Sequence, residues 1–192
     1  SESNGNRKSC VPHAPYSVSP KLFKLINERN TEIGTVSIHN QELAAENELF
    51  LNKTGAFLDF YRDFGISLDQ FSATGNNAMD YAIKHMDSRH RTLFVHNTQT
   101  TVDDINKAHL WNSKTYWVTC PNANLYIENQ LPNYAHFLAA KAKMCIGTDS
   151  LSSNWSLSIL DEMKTIKKYQ SYVDDVEIIR WATLNGAQAL GF

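Results

Sequence analysis

Short β-prone runs that end in a polar residue recur along the chain and alternate with helical patterns. Because buried strands that alternate with helices form βαβ units, this order predicts an α/β fold built on a parallel sheet. We find no linker, low-complexity segment or repeat beyond this alternation, so we expect one domain over residues 1–192. The predicted strands cover residues 9–13, 34–39, 92–96, 115–120 and 144–149.

Helix start signals lie between the predicted strands. Ser19 followed by Pro20 is typical of an N-cap with Pro in the first turn. Thr101 with Asp104 three residues later resembles a capping box. Apolar spacing or available length predicts further helices over residues 42–51, 55–64, 77–85, 155–166 and 176–190.

Charge and cysteine content exclude several classes of function. The chain has 18 Lys plus Arg against 20 Asp plus Glu, a net charge of −2, which argues against binding to nucleic acid or to an anionic membrane. No apolar run approaches the length of a membrane span, and we expect no signal peptide. Three widely spaced cysteines without a Cys-x-x-Cys pair indicate a reducing, cytoplasmic location rather than a disulfide framework.

Ionisable residues close four of the predicted strands: His13, His39, His96 and Asp149. The carboxyl ends of parallel strands lie on one side of the sheet, where ligands bind, so we expect these side chains to converge. Any one of these histidines is compatible with a hydrogen-bonded core or surface role. Together they favour a site for a divalent metal such as zinc.

Glu42 follows His39 by three residues and begins the next predicted helix. Two interpretations remain open at this point. Its carboxylate can reach the same cavity and carry protons to and from a water. Alternatively, it only complements the positive end of the helix dipole.

Six strings resemble the amidohydrolase superfamily, specifically its deaminase and chlorohydrolase branch, and they occur in that family's order. They are PHAPYS at 12–17, HNQE at 39–42, FVHN at 94–97, CPNAN at 120–124, GTDSLSSN at 147–154 and ATLNGAQALG at 182–191. The resemblance implies a (β/α)₈ barrel, usually with a small β-sandwich. It assigns the five predicted strands to barrel strands four to eight, a partial TIM-type barrel.

The resemblance also implies roles for single residues. His39 and Asp149 resemble metal ligands, and His96 resembles the histidine that orients the attacking hydroxide. Glu42 resembles the proton shuttle, with Asp149 also taking part in proton transfer, and His13 resembles a substrate contact. The implied cofactor is one divalent metal, zinc or iron. The implied reaction is hydrolytic deamination of a small amino-substituted heterocycle such as a purine, pyrimidine or triazine.

Two alternatives to deamination stay open from the sequence. The same constellation of residues suits the hydrolysis of an amide or of a carbon–halogen bond. From the residues alone, a non-catalytic α/β binding or scaffold domain is also compatible, since strand-end histidines can be incidental.

The sequence departs from the family pattern in three respects. It contains no His-x-His pair, and CPNAN has Ala where relatives often carry Ser or Thr. A complete barrel needs about 250 residues, so we expect residues 1–192 to form the C-terminal part of a barrel domain, without the first strands and the sandwich. This part alone should be inactive and should hold metal weakly or not at all.

Open strand edges and an exposed inner face should follow from an incomplete barrel. We therefore expect the chain to pair with another copy or with the missing N-terminal half. The side chains expected to face the barrel interior are residues such as Val36, Ile38, Phe94 and Trp117, or their neighbours in sequence.

Overall fold

A computed structural model of the chain describes residues 8–192 as a parallel sheet flanked by helices. Four strands form within these residues, and they pair in the order β1-β2-β3-β4, with every pair parallel. Each crossover between neighbouring strands contains at least one helix. The predicted parallel α/β sheet is therefore confirmed. The strands are β1 (Thr35–Asn40), β2 (Arg91–His96), β3 (Thr115–Thr119) and β4 (Met144–Ile146).

Ten α-helices and one short 3₁₀ turn, Pro15–Ser17, lie within residues 8–192. Three of the helices fill the long crossover between β1 and β2, as the sequence predicts. The helices are α1 (Pro20–Arg29), α2 (Ala44–Asn52), α3 (Ala56–Asp63), α4 (Ala78–His85), α5 (Val102–Trp111), α6 (Pro121–Glu128), α7 (Tyr134–Ala139), α8 (Ile159–Tyr169), α9 (Asp175–Ala182) and α10 (Leu184–Leu190).

The predicted helix starts form as their residue types require. The Ser19 hydroxyl accepts the Leu22 N–H at 3.3 Å at the start of α1. Thr101 and Asp104 form a reciprocal capping box at the start of α5. These side chains satisfy backbone donors that have no partner inside the helix.

Two predicted helices have different bounds. The helix predicted from Trp155 begins at Ile159, because the Ser158 side chain caps it by accepting the Asp161 N–H. The helix predicted over residues 176–190 divides at Thr183, whose φ of −126° and ψ of −85° are not helical. One predicted helix is therefore two shorter helices.

The prediction of a strand over residues 9–13 is wrong. The segment runs beside β1 but makes one backbone hydrogen bond to it, from the His39 N–H to the His13 carbonyl at 2.9 Å. Pro12 has no N–H to offer to a ladder. The backbone of Cys10 instead forms hydrogen bonds with the Asn30 side chain, which accepts from the Cys10 N–H at 2.9 Å and donates to its carbonyl at 2.7 Å.

Of the two alternatives for the inner face of the sheet, the structure has the sequence neighbours of the four named residues there. Val36, Ile38, Phe94 and Trp117 pack in the large core on the helix side. A shift of one residue exchanges the two faces of a strand, so their neighbours point the other way. A second cluster forms on that opposite face, and it contains Leu93, Val95, Tyr116, Val118, Cys145 and Ala189 of α10.

Among residues 8–192, no helix combines the length and hydrophobicity that crossing a bilayer requires.

Candidate active site

Two histidines meet at the carboxyl end of the sheet. The β1–β2 register places His39 opposite Val95 and Asn40 opposite His96. At this edge the Nδ1 atom of His39 lies 3.0 Å from the Nε2 atom of His96. The predicted convergence of strand-end histidines is thus present for this pair, and His96 is fully buried.

Glu42 completes a compact group with the two histidines. Its Oε1 lies 3.4 Å from His96 Nδ1, and its Oε2 lies 4.0 Å from His39 Nδ1. One ligand atom from each of the three residues falls within 4.8 Å of the others. Glu42 Oε1 is buried without a hydrogen-bond donor among residues 8–192. Glu42 therefore turns its carboxylate towards the two histidines.

Backbone conformations that L-residues rarely adopt recur around this group. Gln41, His96, Asn97 and Asp149 have φ values of 47°, 76°, 64° and 57°. All four lie at or just beyond a strand end. Left-handed conformations of non-glycine residues cluster at functional sites, where the surrounding structure maintains them.

The turn that carries Glu42 is held from two directions. The Glu46 carboxylate accepts the backbone N–H groups of Gln41, Glu42 and Leu43 at 3.1, 2.8 and 3.2 Å. The Thr98 hydroxyl, which follows β2, lies within hydrogen-bond distance of the carbonyls of Gln41 and Glu42, at 3.1 and 2.6 Å. Burial raises the pKa of Glu46 to about 7. These contacts fix the Glu42 backbone relative to both strands.

The two imidazoles have opposite pKa shifts. The neighbouring Glu42 carboxylate favours the protonated imidazole and raises the pKa of His39. Burial lowers the pKa of His96 to about 4. His96 is therefore neutral near pH 7, and protonation of the pair favours His39.

Asp149 lies three residues beyond β4, on the loop rather than in the strand. Its carboxylate accepts the Ser153 hydroxyl at 2.5 Å. It does not belong to the 4.8 Å group, but its charge favours the protonated forms of His39 and His96. Asp149 therefore lies close enough to both histidines to influence them.

His13 lies at the exposed rim of the site. Its ring centroid is 5.0 Å from that of His39, and its Nδ1 lies 2.8 Å from the Ser17 hydroxyl oxygen. Burial lowers the pKa of His13, and the charge of His39 lowers it further. His13 and Asp149 therefore lie near the pair of His39 and His96, although neither of them ends a strand.

Asn124 on α6 is a site residue that the sequence analysis did not assign. It is 1% exposed, and its Nδ2 lies 3.0 Å from His96 Nδ1. Its Oδ1 is buried and has no hydrogen-bond partner among residues 8–192. The string CPNAN contains Asn124, but the sequence of a helix does not show which strand end one of its residues contacts.

The residues fit part of a divalent metal site. Two imidazoles and a carboxylate within 4.8 Å offer nitrogen and oxygen donors that suit zinc. The buried Glu42 Oε1 is an acceptor that still needs a partner. Among the described residues, no cysteine belongs to this group. A His-x-His pair, which the family pattern adds, is not in the sequence.

A parallel α/β sheet with ionisable side chains at the carboxyl ends of its strands defines the class of barrel proteins that bind ligands at that face. Comparison with known proteins narrows the class. The amidohydrolase family model matches residues 8–192, and the chain belongs to that family.

Individual relatives and structures agree with this membership. The adenosine deaminase of Helicobacter pylori is 31% identical over 159 residues, covering 82% of this chain and 38% of the relative. The crystal structure of Helicobacter pylori aminofutalosine deaminase matches with a TM-score of 0.82 and 26% identity, covering 100% of this chain and 49% of that one. An adenosine deaminase from Xanthomonas campestris with bound zinc matches with a TM-score of 0.69 and 25% identity, covering 96% and 39%.

The chain spans less than half the length of these relatives. The shared region nevertheless includes the whole group of His39, Glu42 and His96, since the family match runs over residues 8–192.

Proposed function

We propose that the intact protein containing this chain is a metal-dependent hydrolase that deaminates an amino-substituted heterocycle, specifically a substituted adenine nucleoside. The observation that carries the proposal is the placement of His39, Glu42 and His96 within 4.8 Å, with Asp149 close enough to influence both histidines. The deaminases among its relatives support the choice of substrate class.

His39 and Asp149 would hold the metal together with ligands outside this chain. A divalent metal there would supply the Lewis acidity that lowers the pKa of a water from about 15.7 towards about 7. Zinc is the metal we propose, on the chemistry of the donors and the zinc-bound relative.

The remaining residues orient groups and move protons. Neutral His96 would hold the attacking oxygen in line with the ring carbon, because burial keeps this imidazole uncharged. Glu42 would deliver a proton to the ring nitrogen, and its unpaired Oε1 is the atom available for this step. Asp149 would accept the proton of the water, and His13 at the rim would contact the heterocycle or its substituent.

We also propose that residues 1–192 are the C-terminal part of a barrel and that the protein lies in the cytoplasm. The share of each relative that the chain covers supports the first point. Unpaired thiols at Cys10, Cys120 and Cys145 support a reducing compartment.

Release of ammonia, or of chloride from a chlorotriazine, tests the function over a panel of substrates. The intact, zinc-loaded protein is incubated with adenosine, 5′-deoxyadenosine, methylthioadenosine, cytosine, an amide and a chlorotriazine. We expect stoichiometric ammonia from at least one adenine nucleoside and none after chelation. Hydrolysis of the amide or the chlorotriazine alone would instead assign the site to the alternative reactions.

A further inference from the structure

A buried carboxylate outside the group of His39, Glu42 and His96 joins two of the loops around the site. Glu162 lies in the first turn of α8 and is 0% exposed. Its Oε2 accepts the Asn122 backbone N–H at 2.8 Å, and its Oε1 accepts from Asn154 Nδ2 at 2.6 Å. Asn122 follows β3 and Asn154 follows β4, so one side chain bridges two strand-end segments.

On the β4 side, this contact extends to Asp149. Asn154 Nδ2 also donates to the Thr148 carbonyl at 2.6 Å, and Thr148 directly precedes Asp149. Asp149 has a φ of 57°, a conformation that its neighbours must maintain. Glu162 orients Asn154, and Asn154 fixes the peptide that enters Asp149.

On the β3 side, the contact extends to His96. The first N–H groups of a helix have no intrahelical partner, and a negative charge beside them is favourable. Glu162 accepts such an N–H, that of Asn122, in the first turn of α6. Asn124 follows two residues later and lies 3.0 Å from His96 Nδ1. The position of α6 therefore sets the position of Asn124.

We propose that Glu162 is a positioning residue. It fixes the position of Asp149 relative to the Asn124–His96 pair. Its meaning for catalysis rests on the proposed function, because only that function gives Asp149 and His96 their roles. The structural part of the proposal can be tested without turnover, because both segments contain backbone amides whose hydrogen exchange with solvent can be followed.

Glu162→Gln in the intact protein tests the proposal. Gln preserves the volume, but its NH₂ group must face either the Asn122 N–H or Asn154 Nδ2, and both are donors. We expect amide hydrogen exchange in residues 120–124 and 147–156 to accelerate about tenfold or more, with β1 and β2 unchanged. Zinc affinity, measured by competition with a chelator, should fall about tenfold, and kcat should fall by at least as much with little change in KM.

Two further variants keep the test decisive. Glu177→Gln removes a carboxylate from the first turn of α9, where Glu177 pairs with Arg180, and should change none of these quantities. Asn154→Ala removes only the β4 contact, so exchange should accelerate in residues 147–156 and not in 120–124. If Glu162→Gln does not fold, Asn154→Ala still tests the contact on the β4 side.

Three outcomes would overturn the proposal: uniform acceleration across the whole chain, unchanged exchange in both segments, or local acceleration with unchanged zinc affinity and kcat. A wild-type protein that binds zinc but deaminates nothing would refute the proposed function alone. Exchange and zinc affinity would still decide the role of Glu162.

Discussion

His39 Nδ1 and His96 Nε2 lie 3.0 Å apart although 57 residues separate them in the chain. Parallel pairing of β1 with β2 brings the two strand ends together, and His96 has a left-handed φ of 76° at this point. Their surroundings make the two imidazoles inequivalent, because the Glu42 carboxylate raises the pKa of His39 while burial lowers that of His96. This inequivalence is the basis for giving the two histidines different roles.

Substitution of single histidines should separate the metal ligand from the substrate contact. We expect His39→Ala in the intact protein to lose bound zinc, since it removes one proposed ligand. His13→Ala should keep its zinc and raise KM, because His13 lies at the exposed rim. Elemental analysis and steady-state kinetics measure both effects. Retention of stoichiometric zinc by His39→Ala would exclude His39 as a ligand.

Gly147 precedes Asp149 by two residues and packs tightly against β3. An added Cβ would lie 3.1 Å from Val118 Cγ1 and 3.2 Å from Cys120 Sγ. We expect Gly147→Ala to lower the free energy of unfolding by about 1–3 kcal/mol, since overpacking forces neighbouring atoms apart.

Gly34→Ala is the matched control for Gly147→Ala, because its Cβ would find its nearest atom at 4.0 Å. We expect it to change the free energy of unfolding by less than about 1 kcal/mol. Denaturant titration of both variants measures the difference. Equal changes in the free energy of unfolding would show that the close neighbours of Gly147 do not exclude a larger side chain.

Glu46 should make stability depend on pH. Its folded pKa of about 7 exceeds the value of 4.5 expected when unfolded, so the folded state keeps the proton longer. The free energy of unfolding should therefore fall as pH rises from 4.5 to 7, by up to about 1.4 kcal/mol per pH unit, and then level off. Metal-free unfolding of wild type and Glu46→Gln across this range measures the effect, and the variant should lack this slope.

Glu48→Gln on the same helix is the control for Glu46→Gln, since Glu48 is exposed. It should retain the wild-type slope. A wild-type slope in Glu46→Gln as well would assign the pH dependence to other groups.

The isolated 192-residue chain should not persist as a monomer. Within residues 8–192, β1 and β4 each have a parallel strand on one side only. The inner face exposes parts of Leu93 and Val95, which pack beside Tyr116. We expect sedimentation to show self-association, or binding to an added N-terminal part. A stable monomer with a cooperative melt and no dye-binding surface would contradict this expectation.

Sequence patterns were sufficient for four of the five predicted strands and for the proximity of residues that follow them. His39, His96 and Asp149 end or follow β-prone runs, and parallel topology alone brings such residues to one side of a sheet. Glu42 was identified by its spacing of three residues from His39, although it lies on the turn before α2. Each of these residues can be identified from the local sequence without knowledge of the packing.

Other features depend on contacts between distant segments. The Asn30 side chain forms hydrogen bonds with the Cys10 backbone that a neighbouring strand would otherwise form. No pattern in residues 9–13 predicts these bonds. Asn124 and Glu162 are ordinary helix residues in sequence, and only the packing of α6 and α8 gives them partners at the site. The sequence left open which of two adjacent residues faces inward, because hydrophobic residues occupy both faces of the sheet.

Ammonia release by Glu42→Gln and Glu48→Gln in the intact, zinc-loaded protein tests the central claim most directly. Both changes remove one carboxylate from the β1–α2 region, but only Glu42 contacts His39 and His96. We expect Glu42→Gln to reduce turnover about 10²–10⁴-fold with its zinc retained, and Glu48→Gln to match wild type. Near-normal turnover by zinc-loaded Glu42→Gln would contradict the account and return Glu42 to a structural role at the start of the helix.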